Sequence, residues 1–306
     1  MKRVWMLFLI VITLLSVTLS SLTGCAPMSD SVPDQNETDG QDAPDENVNE
    51  NGSENKPTAP SDEEREENTP TEEEEPMKLT FGSYNIKHGA DDLPLLSRIA
   101  GNITKYGMDV VGLQEVDQMT TRVGGVDTMK TLSEATGYPY YAFFKAISYK
   151  GGEYGVGILS NYPIVETERI ELESLTYEQR VLGRACIDVN GERIQFFVTH
   201  LSYENKEIRT TQFAEVAEVL AGYDNYVLTG DFNTSDFSEY SVLPNVNAVN
   251  KASKHVVTFP GNSSSIDNIV YSNSAWSFEA PKTVTESYSD HYALYAKGTY
   301  LGIKEN

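Results

Sequence analysis

Six short polar tags sit at the ends of apolar runs: Ser83-Tyr84-Asn85, Gln114-Glu115, Thr199-His200, Gly230-Asp231-Phe232-Asn233, Ile266-Asp267-Asn268 and Ser289-Asp290-His291. Their carboxylates, amides and imidazoles are the groups that hold a hard divalent cation and activate water. His88, His200 and His291, three of only four histidines, lie in or beside them. Singly, each tag is an ordinary turn, cap or structural histidine. Gathered at one rim of a sandwich, they make a hydrolytic site.

Positioning them requires short strands with a few helices. Leu79 to Ile86 reads as a strand. Residues 91–106 place Leu95, Leu96, Ile99 and Ile103 at helical spacing, with Asp91 or Asp92 at the start and Gly107 as the stop. Asp109 to Leu113 is a buried strand that delivers Gln114 and Glu115. A second helix runs from about Val126 to Thr136, before Gly137. Further strands are expected at Tyr140–Ala146, Tyr154–Ser160, Ile164–Glu171, Val181–Val189 and Arg193–His200, the last two joined by an Asn190-Gly191 turn. A third helix covers Asn205 to Leu220, and strands at Tyr226–Gly230, Ile266–Tyr271 and His291–Ala296 complete the reading.

The first 76 residues are of a different kind. Met1-Lys2-Arg3, an apolar run from Val4 to Leu22 and the ending Leu22-Thr23-Gly24-Cys25 read as a secretory leader. The ending resembles a bacterial lipobox, with Cys25 lipidated as the mature N-terminus; the alternative is an uncleaved anchor. Residues 26–76 carry 18 Asp and Glu against Lys56 and Arg65, a composition that cannot build a core. They are expected to form a disordered spacer that holds a membrane-anchored, extracytoplasmic domain off the cell surface, with calcium capture by Glu72 to Glu75 as the alternative. If Cys25 carries lipid, Cys186 is the sole remaining cysteine, so no disulfide is expected. Residues 77–306 carry 19 Lys and Arg against 28 Asp and Glu, a net charge of −9. That balance disfavours long duplex DNA as the ligand, because such partners call for a basic surface.

In their order and spacing the tags, with Val111 to Asp117 and Gly155 to Ser160, resemble the endonuclease/exonuclease/phosphatase superfamily over residues 77–306. The resemblance implies an α+β fold, a four-layer α/β/β/α sandwich of two mainly antiparallel sheets flanked by helices. It also implies Mg²⁺ dependence, with Mn²⁺ or Ca²⁺ as substitutes. Glu115 is then the principal metal ligand, with Asn85 beside it and Asp290 as a further ligand. His291 and Asp267 match the family's histidine–carboxylate pair, which polarises the attacking water or binds the phosphate. Asp231 and Asn233 orient water and a phosphoryl oxygen, with Asp231 a rival for the base, and His200 donates to non-bridging oxygens.

Four further residues are substrate-binding candidates. Arg184, a lone cation in an apolar strand, requires either a buried partner or an anionic ligand. Arg122 lies in a loop after Glu115, Tyr154 precedes the Gly-rich strand, and His88 follows Asn85. His255 lies outside every tag and reads as an ordinary loop residue. Trp276 and Phe278 are read as the makings of a small apolar site. The expected activity is that of a monomeric, surface-tethered phosphoesterase acting on a small phosphodiester, phosphomonoester or lipid headgroup. The alternatives are an extracellular nuclease and a catalytically idle module that binds a phosphorylated ligand.

Overall fold

The computed structural model describes residues 75–89 and 93–302. The leader, Cys25, the acidic stretch as far as residue 74, and Asp91 and Asp92 lie outside the described residues. The elements begin with β1 (Lys78–Asn85), α1 (Leu93–Lys105), β2 (Val110–Gln118), α2 (Thr128–Thr136), β3 (Tyr140–Tyr149) and β4 (Gly152–Ser160). There follow β5 (Ile164–Leu172), β6 (Arg180–Val189), β7 (Glu192–His200), α3 (Lys206–Leu220) and β8 (Tyr226–Asp231). The chain closes with β9 (Val246–Ala248), β10 (Asp267–Ser272), β11 (Trp276–Phe278), β12 (Lys282–Val284) and β13 (Ala293–Tyr300).

Two sheets result. One has the order β11-β13-β1-β2-β4-β3 with β12 also on β13, and the other the order β5-β6-β7-β8-β10-β9. Among the described strands, only β1 with β2 and β7 with β8 pair in parallel. These are the connections through helices: α1 lies between β1 and β2, and α3 between β7 and β8, as parallel neighbours require.

Side-chain alternation along the strands makes the layers. In β1, Leu79 and Phe81 enter the core between the sheets, while Tyr84 packs under Leu96, Ile99 and Ile103 of α1. In β7, Ile194, Phe196 and Val198 face the same central core, and Phe197 packs outward with Phe213, Val216 and Leu220 of α3. The order is therefore helices, sheet, sheet, helix, the sandwich expected from the sequence. The sheets approach closely where Gly112 faces Thr229 and Val198, and a side chain at Gly112 would collide with both.

Helix ends follow ordinary capping chemistry. Asp127 accepts from Lys130 N at 2.9 Å to start α2, and Gly137 ends it with φ of 76°. Asn205 accepts from Ile208 N at 3.1 Å to start α3. β9, β11 and β12, three residues each, are additions to the sequence reading. The apolar site expected at Trp276 and Phe278 is not formed as such. Trp276 is buried against Phe81, with its indole N–H on Asn225 Oδ1 at 2.7 Å, so it belongs to the core.

Candidate active site

Strand direction places the tags together. β1, β7 and β8 end at Asn85, His200 and Asp231; β10 starts at Asp267 and β13 just after His291. His200 is in register with Asp231, and Asp231 with Asp267. Because β10 and β13 are antiparallel to those neighbours, their beginnings meet the others' ends at one rim.

Glu115 reaches the rim through a β-bulge. The pairing of β2 with β4 is regular to Leu113 and resumes at Val116, and Glu115 takes φ of 56° between them. Opposite, Gly155 touches the backbone of Phe144 and Ala146 so closely that a side chain there would have no room. The Asn85 amide then joins the two sheets, donating from Nδ2 to Glu115 Oε1 and to Asp231 Oδ2, each at 3.1 Å.

Asp231 is the hub. Its Oδ2 lies 3.5 Å from His200 Nε2 and 3.6 Å from His291 Nε2, and its Oδ1 accepts from Asn233 N at 3.0 Å. Asn233 adopts φ of 52° and ties Nδ2 to Leu201 O at 2.9 Å, which fixes its amide beside the cleft. Asp267 Oδ2 lies 2.9 Å from His291 Nδ1, while Asp267 Oδ1 is buried and unpartnered among the described residues. Phe259 lies against the His291 ring at 4.9 Å between centroids.

Electrostatics follow from this packing. Burial, reinforced by the charge of Asp267, raises the pKa of Asp231 well above the usual carboxylate range. Burial opposes protonation of His291, yet Asp267 and Asp231 outweigh it and lift the imidazole to about 9. His200 goes the other way, held well below its ordinary value by burial and then by the cations Arg180 and His291. Neutral pH therefore leaves one charged and one neutral imidazole on either side of Asp231.

The donor set fits a hard divalent cation. Glu115 and Asp231 converge on one amide, and a carboxylate oxygen of Asp231 and one of Asp267 lie within 4.8 Å of each other, with His291 as the cation between them. The unpartnered Asp267 oxygen is a further buried acceptor beside that cluster. A bound divalent ion would supply Lewis-acid stabilisation of a phosphoryl oxygen. Asp290 stands at the edge, exposed and paired with Lys87 Nζ at 3.1 Å. A cleft of about 470 Å³ opens over Glu115, His200, Asp231, Asn233, Asp290 and His291.

The substrate-binding candidates divide. His88 occupies the turn Lys87–Gly89 and is not among the residues lining the cleft. Tyr154 walls a small recess with His200 and Arg180. Arg122 is clamped by the buried Asp117, from Nε at 2.9 Å and Nη2 at 2.6 Å. Arg184 is corrected: its guanidinium donates to Glu168 at 3.0 Å, Glu166 at 2.7 Å and Gln195 at 2.8 Å. The physical reason is position along β6: residue 184 pairs with Glu168 of β5 and Phe197 of β7, four residues in from the rim end of the strand, and its guanidinium lies under Tyr223.

Arg180, which sequence reasoning passed over, takes the rim position. It is 3% exposed, pairs with Glu178 at 3.1 Å, and leaves Nε buried without a hydrogen-bond partner among the described residues. The signal was present in the hairpin. Counting back from the Asn190-Gly191 turn sets Leu182 opposite Thr199 and so brings residue 180 beside the Thr199-His200 tag.

Comparison with known proteins agrees with this geometry. The family model described as Endonuclease/Exonuclease/phosphatase family matches residues 82–291. Protein cwh43 of Schizosaccharomyces pombe is 30% identical over 145 residues, which are 46% of this chain and 15% of that protein. The chain therefore spans only a small part of that curated relative. Among solved structures, an endonuclease/exonuclease/phosphatase from Beutenbergia cavernae has a TM-score of 0.65 at 20% identity, covering 74% of this chain and 72% of its own. A Bacteroides thetaiotaomicron mannosyl-6-phosphatase has a TM-score of 0.56 at 19% identity, covering 72% and 99%. Danio rerio TDP2 complexed with a single-strand DNA product has 0.57 at 21% identity, covering 72% and 98%. With the matched segment containing every rim residue from Asn85 to His291, the chain belongs to the endonuclease/exonuclease/phosphatase family, whose enzymes are divalent-metal-dependent hydrolases of phosphate esters.

Proposed function

We propose that this chain is a surface-tethered, Mg²⁺-dependent phosphoesterase that cleaves a small phosphomonoester, phosphodiester or lipid headgroup by in-line attack of water. The observation that carries the reading is the meeting of Glu115 and Asp231 on the Asn85 amide, with the Asp267–His291 pair beside them. Water held between Asp231 and Asn233 attacks phosphorus as the ester P–O bond breaks. Asp231 takes the water's proton, and the departing alkoxide takes a proton from bulk water and leaves as the alcohol, the proton on Asp231 returning to solvent. His291, cationic between two carboxylates, and His200, a neutral donor, face the charge that builds on the phosphoryl oxygens. The net charge of −9 over residues 77–306 favours a small ester over long duplex DNA.

The test is a substrate panel on the purified chain: p-nitrophenyl phosphate, its bis ester, sugar and inositol phosphates, single-stranded and duplex DNA, and sphingomyelin vesicles. Turnover of small esters or headgroups with Mg²⁺, abolished by EDTA, is the expected result. Preference for DNA would replace the proposal by the nuclease alternative, and silence with metal binding intact would leave the idle binding module. The tether is read separately: Cys25→Ala should move the chain from the detergent phase to the aqueous phase on partitioning, and unchanged partitioning would overturn lipidation at Cys25.

A further inference from the structure

The buried face of α3 is not wholly apolar. Ile208, Phe213, Val216 and Leu220 pack inward, yet Arg209 and Gln212 are buried with them. Their polar groups bond to the two loops that leave the rim residues. Gln212 Oε1 accepts from Ser202 N at 2.9 Å and Arg209 Nη1 donates to Ser202 O at 3.2 Å, so the loop after His200 is held at both the N–H and the carbonyl of one residue. The other edge of the guanidinium donates from Nε and Nη2 to the two carboxylate oxygens of Glu239, at 2.9 and 3.2 Å. Glu239 belongs to a short 3₁₀ segment, Phe237–Val242, and also accepts from Thr234 Oγ1 at 2.8 Å.

Because Thr234 follows Asn233 and Ser202 follows Leu201, these bonds close a ring. It runs from Arg209 through Ser202 to Leu201, whose carbonyl accepts from Asn233 Nδ2 at 2.9 Å, and returns through Thr234 and Glu239 to the guanidinium. Asn233 lines the cleft and holds φ of 52°, a left-handed conformation that its surroundings must maintain. With one Nδ2 proton on Leu201 O, the other proton and Oδ1 are left for the cleft. Stability alone does not call for such a ring, since a buried ion pair can often be replaced by apolar residues of similar volume without loss. Apolar residues could not fix two loops at hydrogen-bond distance from one another. A guanidinium can, because its donors point in several fixed directions; an ammonium is a point charge on a flexible stem.

We propose that Arg209 is a positioning residue for hydrolysis: it ties the loop after His200 to the loop after Asn233, and thereby holds the Asn233 amide in place against the attacking water and the phosphoryl group. The inference rests on the phosphoesterase reading and adds to it a residue that touches neither substrate nor metal. A displacement of about 1 Å at a reacting group can cost about 10²-fold in rate even when the substitution is remote.

Two measurements on the full chain test this. The first is a double-mutant cycle in kcat, per folded molecule, with p-nitrophenyl phosphate or its bis ester, on Arg209→Lys, Asn233→Ala and the double variant. Arg209→Lys should lower kcat about 10–10²-fold with KM changed by no more than about twofold. In the Asn233→Ala background the same substitution should cost less than about threefold, because the group it positions is already gone. Equal losses in both backgrounds, or an unchanged kcat in Arg209→Lys, would overturn the assignment. Arg209→Gln, uncharged but able to bond Ser202 O, carries the same comparison if Arg209→Lys does not fold. The second measurement is independent of turnover: hydrogen exchange of the Asn233 side-chain amide by ¹⁵N NMR. Exchange should quicken at least about tenfold in either Arg209 variant while the backbone amides of β1 and β7 keep their native rates. An unaltered Asn233 amide, or equal acceleration throughout β1 and β7, overturns the clamp. If no ester is cleaved and the Asn233 amide alone responds, the clamp stands and only the hydrolytic reading fails.

Discussion

Replacing His291 by alanine should lower kcat about 10²–10⁴-fold, the usual weight of a positioned proton-transfer or charge-stabilising group. The imidazole lies 2.9 Å from Asp267 and 3.6 Å from Asp231, so its removal strips the rim of the cation that those two buried carboxylates share. Two expectations follow that an exposed histidine would not carry. In the metal-free protein the variant should melt at lower temperature, since deleting one partner of a buried pair costs about 3–5 kcal/mol. That deficit should also depend on pH. Because folding raises the His291 pKa to about 9 from an unfolded value near 6.5, its stabilisation is fully present below the unfolded pKa. It is lost as pH rises through about 9. Native and variant melting temperatures should therefore be furthest apart near pH 6 and converge toward pH 10. Saturating Mg²⁺ should narrow the gap at every pH by supplying another counter-charge to the same carboxylates. Unaltered kcat per folded molecule would remove His291 from the chemistry, and a pH-independent gap would remove it from the shared charge.

Much of this rim was readable because its residues sit at ends of strands. Asn85, His200, Asp231 and Asp267 each follow or precede an apolar alternating run, and alternation together with a few helix stops places those runs correctly. The helix boundaries were within about two residues, since Gly137 and Asn205 are strong local signals. Glu115 was identified by its tag, but the bulge that turns it toward Asn85 depends on Gly155 and the backbone of β3, a contact between distant segments. The short strands β9, β11 and β12 were invisible for a related reason. Three residues carry no period, and pairing with β10 or β13 is what makes them strands. Arg184 and Arg180 show the limit most clearly. Both are buried arginines on one strand, four residues apart, and sequence reasoning chose the one surrounded by apolar neighbours. Register along β6 decides otherwise: position 184 meets Glu166 and Glu168 of an edge strand, and position 180 meets the rim. Arg122 illustrates the same point, because its partner Asp117 was read only as the end of the run Val111 to Asp117 that carries the family resemblance, and not as a partner for a cation five residues on.

Arg180 is where the second large loss is expected, because its buried Nε is a donor that the fold leaves unbonded. Holding such a group in a folded chain costs about 1–3 kcal/mol, and an anion seated against it would recover that cost. The residue is beside Tyr154 and His200 and is tied only to Glu178 at 3.1 Å and, more loosely, Glu204 at 4.0 Å. A guanidinium so placed presents two parallel N–H groups to a phosphoryl group, a geometry that an ammonium cannot reproduce. Arg180→Met should therefore lower kcat/KM about 10²–10³-fold, and Arg180→Lys should recover only part of it. Inorganic phosphate should inhibit Arg180→Met less than the native protein. A second readout separates chemistry from architecture. The charge of Arg180 helps to hold His200 below its ordinary pKa, so in Arg180→Met the His200 imidazole should titrate at higher pH in ¹⁵N NMR, moving toward 6.5. Melting temperature should change little, because Glu178 and Glu204 are partly exposed and regain water when their partner goes, and the orphaned donor is removed with it. If the protein instead loses stability while the folded fraction keeps its kcat/KM and phosphate inhibition, Arg180 is an ion-pair residue of the β6 terminus, and the phosphate must be gripped by His200, His291 and the metal alone.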